Sequence, residues 1–255
     1  MKIVYGPVPS WRLGRSLGVD LICSENKTCS FDCVYCQLGK TKRKTVNRRV
    51  FVSIKRMEEE LKSALEKVDF DVITFSGTGE PMLAKNLDKG IDAIKKYTSV
   101  PLAILTNSSL MNNNRVRKAL NKLDIVVAKL DTPNRELFQK INNPAKEIKF
   151  DKIVQGIKRF REGFDGKLSL QMMFTDENRE YAEEMARIAR SLNPDEVQIN
   201  TPLRPCPVKP LTRMEIENIE KHFNGLNVVS VYKKGKPEIK YYLNKNEVKK
   251  RRKNV

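Results

Sequence analysis

Beyond about residue 55 the chain alternates between short apolar runs and amphipathic stretches one helix long, and this rhythm restricts the fold more than any other feature. Met57, Leu61, Ala64, Leu65 and Val68 fall near helical spacing over 55–67, and the apolar run Val72-Ile73-Thr74-Phe75 follows. The same reading gives helix 86–97, strand 102–106, helix 112–121, strand 124–130, helices 134–141 and 150–162, strand 168–174, helix 177–192 and strand 196–200. A strand within the apolar run Leu17 to Ile22 brings the strand count to six. Strands that alternate with helices build a parallel sheet. Six such units predict an α/β fold, a partial (β/α)6 barrel of the TIM type, with chemistry gathered at the strand C-termini. Residues 1–204 are expected to form this barrel together with an N-terminal loop, because Gly6 to Gly18 is dense in proline and glycine. That loop either contributes to a substrate site or caps the barrel floor. Residues 205–255 are expected as a C-terminal extension on or near the barrel mouth, with a helix at 213–222, a strand at 227–233 and a basic tail.

The strand at Leu17 leads into Cys29-Ser30-Phe31-Asp32-Cys33-Val34-Tyr35-Cys36, three cysteines at C-x3-C-x2-C spacing. Three thiolates on one short loop can hold three corners of a [4Fe–4S] cluster and leave the fourth iron open to a small molecule. Zinc is the alternative, but a structural zinc site closes with four ligands, and only Cys23, Cys206 and the single histidine, His222, remain to complete one. Disulfides are the least expected use of so tight a triplet. Cys23 and Cys206 read as buried free thiols; a Cys206 facing the mouth could also donate a hydrogen atom or hold an auxiliary metal.

Charge points to partners. Lysine and arginine number 49 against 31 acidic residues, a formal charge of +18. Such a balance suits polyanions such as nucleic acid, or is the solvated Lys/Glu surface common in thermophiles. The run Lys40 to Arg49 carries no acidic residue and lies beside the cysteines, and the tail from Lys245 to Arg252 is strongly basic, either a polyanion-binding arm or a solubilising end. No stretch approaches the roughly 18 apolar residues of a membrane span, and the N-terminus has no signal-peptide pattern. A cytoplasmic protein is expected.

Polar residues fall at the strand ends. The second strand ends in Gly77-Thr78-Gly79-Glu80-Pro81, the third in Thr106-Asn107-Ser108 and the fourth in Lys129-Leu130-Asp131; the fifth carries Gln171 and the sixth Asn200. Glycines at a strand end let the backbone approach a ligand, and no Gly-Lys-Ser/Thr follows to make a phosphate loop. Alternation puts Lys129 and Asp131 on one side of their strand, as ligand-binding groups or as a structural ion pair. Asn107 either faces the mouth or caps the next helix.

The cysteine spacing, with an aromatic residue directly before Cys36, resembles the radical S-adenosylmethionine (SAM) superfamily. The resemblance implies a [4Fe–4S] cluster on Cys29, Cys33 and Cys36, with SAM chelated at the open iron. Gly77, Thr78, Gly79 and Glu80 stand where the superfamily's Gly-Gly-Glu motif holds the SAM amino group, and Tyr35 stands at the aromatic position near adenine. Asn107, Lys129, Asp131, Gln171 and Asn200 would orient the rest of the cofactor. The resemblance also implies reductive cleavage of SAM to a 5′-deoxyadenosyl radical that abstracts hydrogen from a substrate, with electrons from an external flavodoxin- or ferredoxin-type donor. Tyr5-Gly6-Pro7-Val8-Pro9-Ser10, Ile141-Asn142 and Gln198-Ile199-Asn200-Thr201-Pro202 extend the likeness to the Fe–S oxidoreductase group that includes the tRNA wyosine-base synthases. Those are expected to carry a second cluster on three further upstream cysteines, where this chain has only Cys23. A one-cluster relative with another substrate follows, with tRNA or another polyanion as its candidate partner. A zinc-stabilised nucleic-acid-binding protein and a non-catalytic iron–sulfur protein are the competing function classes.

Overall fold

The computed structural model describes residues 1–251. Its strands are β1 (Val4–Ser10), β2 (Gly14–Val19), β3 (Thr28–Cys29), β4 (Arg43–Lys44), β5 (Val72–Phe75), β6 (Leu102–Thr106), β7 (Ile125–Lys129), β8 (Lys167–Met173), β9 (Glu196–Asn200) and β10 (Val228–Ser230). The helices are α1 (Ile54–Leu65), α2 (Leu87–Lys95), α3 (Asn114–Leu120), the single turn α4 (Arg135–Leu137), α5 (Phe150–Arg161), α6 (Ala182–Leu192), α7 (Arg213–Glu220) and α8 (Lys245–Arg251).

Eight strands form one sheet in the order β1-β2-β5-β6-β7-β8-β9-β10, with β1 antiparallel to β2 and every other pair parallel. This is the expected partial TIM-type architecture. β5 is buried throughout, as a strand covered on both faces must be. Helices supply apolar stripes against it, such as Met57, Leu61 and Ala64 of α1 and Met185, Ala186, Ala189 and Leu192 of α6. Residues beside and beyond both edge strands, β1 and β10, line one cleft, so the sheet curls until its edges face each other.

One expectation is corrected. Gly6 to Gly18 is no loop but the hairpin β1–β2. Its prolines misled because Pro7 and Pro9 sit on an edge strand, where a missing N–H breaks no interior ladder. In the C-terminal part, β10 lies within the expected strand 227–233 and pairs with β9, adding a strand to the sheet. The basic tail is a docked helix as far as Arg251; Arg252 lies outside the described residues. Val248 of α8 packs with Tyr5 and Val8 of β1, and Leu243 N–H donates to Gly6 C=O at 2.9 Å. No helix among the described residues is long and apolar enough to cross a membrane.

Candidate functional site

The cysteine loop leaves the C-terminal end of β2 and is held from three sides. β3, at its start, pairs with β4, in the basic run. The backbone N–H groups of Asp32 and Val34 donate to the carbonyls of Asn142 and Ile141 at 3.0 Å each, and Ala145 N–H donates to Ser30 C=O at 2.8 Å. Phe31 stands edge-on to Phe138, ring centroids 5.3 Å apart. Phe138–Asn142 is one π-helical turn, a local irregularity of the kind that gathers at functional sites.

Each thiol meets a donor from elsewhere in the chain. Cys29 Sγ accepts from the Phe31 N–H and from Asn107 Nδ2, both at 3.5 Å, and Cys33 Sγ accepts from Asn142 Nδ2 at 3.4 Å. Lys27, only 7% exposed, stands beside Cys36, donates to Gly39 C=O at 3.0 Å and lies 3.7 Å from Asp32. Burial alone would pull Lys27 down, but Cys36, Cys29 and Cys33 together carry it above its ordinary value. Burial, reinforced by Glu80 and Cys33, pushes the Cys29 thiol up to about 12, and burial raises Cys33. These are thiols that ionise only when a positive partner arrives.

The Gly77–Glu80 segment is built against the start of this loop. Thr28 N–H donates to Thr78 C=O at 3.1 Å and Glu80 N–H to Thr28 C=O at 3.2 Å. A Cβ on Gly79 would lie 1.6 Å from the Thr28 oxygen, and one on Gly77 would lie 2.0 Å from Asp20 Cγ, so both glycines are required by close approach. Asp20 itself accepts from Thr78 N–H at 3.1 Å and Thr78 Oγ1 at 3.0 Å. Glu80 is buried and reaches across to the end of β6. Its Oε1 accepts from Met82 N–H and Thr106 Oγ1, and its Oε2 from Asn107 N–H at 2.7 Å. Burial outweighs these donors and pushes Glu80 up to about 7.

At the end of β7 the charged pair is drawn into a network. Lys129 Nζ lies 3.8 Å from Asp131, donates to Tyr35 OH at 3.0 Å and sits 4.4 Å above the Tyr35 ring. Asp131 also accepts from Tyr35 OH, from Asn142 Nδ2 at 2.8 Å and from Met173 N–H at 3.0 Å. Burial, with Asp131 and Cys33 nearby, raises Tyr35 well above its usual range. Asp131 is thus engaged inside the wall, while Lys129 lines the cleft. Asn107 caps no helix, because Asn113 caps α3; its side chain donates to Ser30 Oγ at 2.8 Å beside Cys29. Gln171 and Asn200 line the cleft as well, and Gln171 Nε2 is buried without a partner among the described residues. Asn200 Oδ1 accepts from Thr201 N–H at 3.0 Å.

The sequence pattern of the Radical SAM superfamily matches residues 26–189, a span holding the cysteine loop and four of the parallel strands. This chain belongs to the radical SAM superfamily. It is 43% identical over 225 residues to UPF0026 protein slr1464 of Synechocystis, covering 86% of this chain and 81% of that one. It is 38% identical over 251 residues to a Brachyspira hyodysenteriae protein named GTPase Obg, covering 94% of this chain but spanning only 37% of the relative. The fold is similar to that of Streptococcus suis SuiB bound to S-adenosylmethionine, with TM-score 0.64, 18% identity, and 83% of this chain and 50% of that chain covered.

For a radical SAM chain the donor set fits a cluster. No set of three or more His, Cys, Asp or Glu side chains among the described residues converges on a single-ion position. The fit rests instead on three thiols from one loop, two of them supplied with side-chain donors by Asn107 and Asn142, with the Lys27 ammonium beside Cys36. Hydrogen bonds to sulfur are a main lever on cluster potential. SAM has a matching feature in Gln171 Nε2, an orphaned donor in the wall of a cleft of about 270 Å³ that also holds Tyr35, Cys36 and Lys129. A second cleft, of about 360 Å³, lies against Glu25, Lys27, Leu38, Thr78 and Lys250.

Sequence reasoning missed Asp20, Lys27 and Arg251, and it cited Asn142 only as part of a resemblance. Asp20 had a signal, a carboxylate set inside the apolar run Leu17 to Ile22. Lys27 and Arg251 had none, because lysines and arginines are common throughout the chain. Arg251 is fully buried; it donates to Asp20 Oδ2 and Glu247 Oε2, each at 2.9 Å, and to Lys2 C=O at 2.6 Å. The basic run is divided. Lys40, Lys42, Arg43 and Lys44 are exposed, whereas Arg48 donates inward to the Met82 and Ala84 carbonyls at 2.8 and 3.0 Å.

Proposed function

We propose that this chain is a radical SAM enzyme that binds a [4Fe–4S] cluster through Cys29, Cys33 and Cys36 and SAM in the adjoining cleft. The observation that carries the reading is the set of three half-buried thiols on one loop, two of them accepting from the side chains of Asn107 and Asn142 and the third set beside the Lys27 ammonium. When bound and reduced by an external flavodoxin- or ferredoxin-type donor, the cluster supplies the electron that cleaves SAM to a 5′-deoxyadenosyl radical, which takes hydrogen from a substrate.

The protein's part is to bind and orient. Glu80 Oε2 accepts one bond, from Asn107 N–H, where Oε1 accepts two, and its remaining lone pair suits the SAM amino group. Lys129 and Gln171 Nε2 suit the carboxylate or ribose oxygens. Tyr35, fixed by Asp131 and Asn142, forms a rigid wall beside Cys36. A tRNA partner is supported only by the exposed cations at 40–44 next to the loop, and its binding would weaken steeply with salt.

The test is anaerobic reconstitution with iron and sulfide, followed by dithionite-driven SAM cleavage in wild type and Cys33→Ala. 5′-Deoxyadenosine from wild type alone supports the reading. A chain that takes about one zinc in place of iron and leaves SAM intact refutes it.

A further inference from the structure

Lys40, Lys42, Arg43 and Lys44 stand exposed on the stretch that follows the cysteine loop, and the sequence holds no acidic residue between Asp32 and Glu58. Among the described residues Lys40, Lys42 and Arg43 make no side-chain hydrogen bond and no ion pair, so their charge faces solvent uncompensated. Exposed charge is common in so basic a chain. What distinguishes this patch is how closely it is tied to the loop that carries the thiols. Lys44 pairs with Cys29 in the β3–β4 ladder, and Thr45 N–H donates to Cys29 C=O at 3.1 Å. Thr41 Oγ1 donates to Phe31 C=O at 2.7 Å and Thr41 N–H to Asp32 Oδ1 at 2.6 Å. Lys44 Nζ donates to the Asn143 carbonyl and side chain at 3.2 and 2.9 Å, next to the Asn142 that donates to Cys33 Sγ. On the loop itself, Val34 is 37% exposed between Cys33 and Tyr35, and its N–H donates to Ile141 C=O on the same short segment that Lys44 reaches.

Two kinds of acidic partner suit such a patch, and its position separates them. An RNA substrate has to bring its reacting atom to the SAM cleft, and none of the described residues from 39 to 50 lines that cleft. An electron carrier needs only a short path to the cluster, because electron transfer weakens steeply with distance. A single hydrogen bond separates the backbone of this patch from that of Cys29. Redox encounters between proteins bury little surface, about 1,200 Å² or less, and draw rate and orientation from charge complementarity. Four cations together with one small apolar spot match that kind of encounter.

We infer that the β4 face, Lys40 to Lys44 with Val34, is the docking surface for an acidic electron-carrier protein that reduces the cluster. One electron leaves the carrier, which is oxidised, and reduces the cluster; no bond forms or breaks. The inference rests on reading the cysteine loop as the cluster site of the proposed enzyme.

Reconstituted full-length protein and its Lys40→Glu/Lys42→Glu/Arg43→Glu variant are mixed anaerobically with an acidic flavodoxin in its hydroquinone form. Affinity is read by calorimetry, cluster reduction by stopped flow, and 5′-deoxyadenosine with dithionite as the protein-free reductant. At about 0.01 M salt, where charges act over roughly 30 Å, the variant is expected to bind flavodoxin and to be reduced by it about tenfold or more weakly. At about 1 M salt, where that range falls to roughly 3 Å, the two proteins are expected to converge. Iron content, melting temperature and dithionite-driven cleavage are expected to stay unchanged, which separates docking from damage to the cluster. The milder Lys40→Gln/Lys42→Gln variant is expected to lose about threefold in affinity. A control with the same charge change on α2 and α3, Lys89→Glu/Lys95→Glu/Lys118→Glu, replaces exposed lysines and is expected to stay within about twofold of wild type. Flavodoxin affinity and reduction rate within about twofold of wild type in the folded β4 variants overturn the inference, as does an equal loss in the control. A wild type that flavodoxin neither binds nor reduces overturns it as well. Binding of a short single-stranded RNA that falls in the β4 variants while flavodoxin binding holds gives the face to RNA and overturns it too. A wild type that makes no 5′-deoxyadenosine with dithionite refutes the radical reading itself, and the flavodoxin affinities still decide the docking surface.

Discussion

Replacing Arg251 with methionine removes one partner of a fully buried ion pair and leaves the Asp20 carboxylate facing Tyr5 and the α8 helix without its cation. The Arg251 guanidinium lies 4.5 Å from the Tyr5 ring and 2.9 Å from Asp20 Oδ2, and both charged side chains are almost wholly shielded from solvent. Breaking a buried pair from one side costs roughly 3–5 kcal/mol. Asp20 keeps four other donors, the N–H groups of Ile22, Cys23 and Thr78 and the Thr78 hydroxyl, so the low end applies, about 3 kcal/mol. For a chain of this size that corresponds to a fall in Tm of roughly 6–12 °C. Because Asp20 also fixes Thr78, SAM affinity is expected to drop with it. The assay is thermal unfolding of wild type, Arg251→Met, Asp20→Asn and the double variant. The double variant should lose less than the sum of the single losses, with a coupling of roughly 1–3 kcal/mol. A Tm within 2 °C of wild type for Arg251→Met, or strict additivity, would show that α8 does not brace the site.

Gly79→Ala has no room for its Cβ beside the Thr28 oxygen and is expected to abolish iron loading, whereas Gly163→Ala, with nothing within 4 Å, should load normally; iron and sulfide content after reconstitution separates the two. Asn142→Ala removes a hydrogen bond to Cys33 Sγ and should move the cluster's midpoint potential negative in a redox titration followed by electron paramagnetic resonance, since an uncompensated sulfur resists added charge. Burial opposes it, but hydrogen bonds from Lys250, Arg251 and the Lys2 N–H carry the Glu247 carboxyl down to about 2. A depressed carboxyl stabilises above its unfolded value of 4.5 and loses that contribution as pH falls toward about 2. Wild type should therefore exceed Glu247→Gln by roughly 2–3 kcal/mol in denaturant unfolding at pH 6, and the difference should shrink through pH 4 and 3. A pH-independent difference would contradict that linkage.

The barrel units were legible in the sequence because each depends on local period. Apolar runs such as Val72–Phe75 and helix stripes such as Met57, Leu61 and Ala64 state their structure within a few residues. The C-x3-C-x2-C loop and the Gly77–Glu80 segment were legible for a similar reason, since a tight ligand set and a close backbone approach leave fixed residue types at fixed spacing. Tertiary structure alone decided the two edges. Prolines in Tyr5–Ser10 read as loop until an edge position excused their missing N–H groups, and the short Val228–Ser230 gains its place from β9. It also decided which of many like charges matter. Nothing local distinguishes Arg251 or Lys27 from the other lysines and arginines. Their roles come from burial beside Asp20 and from thiols on the adjoining loop. Charge acts through space, so its partners are set by the fold and not by sequence distance.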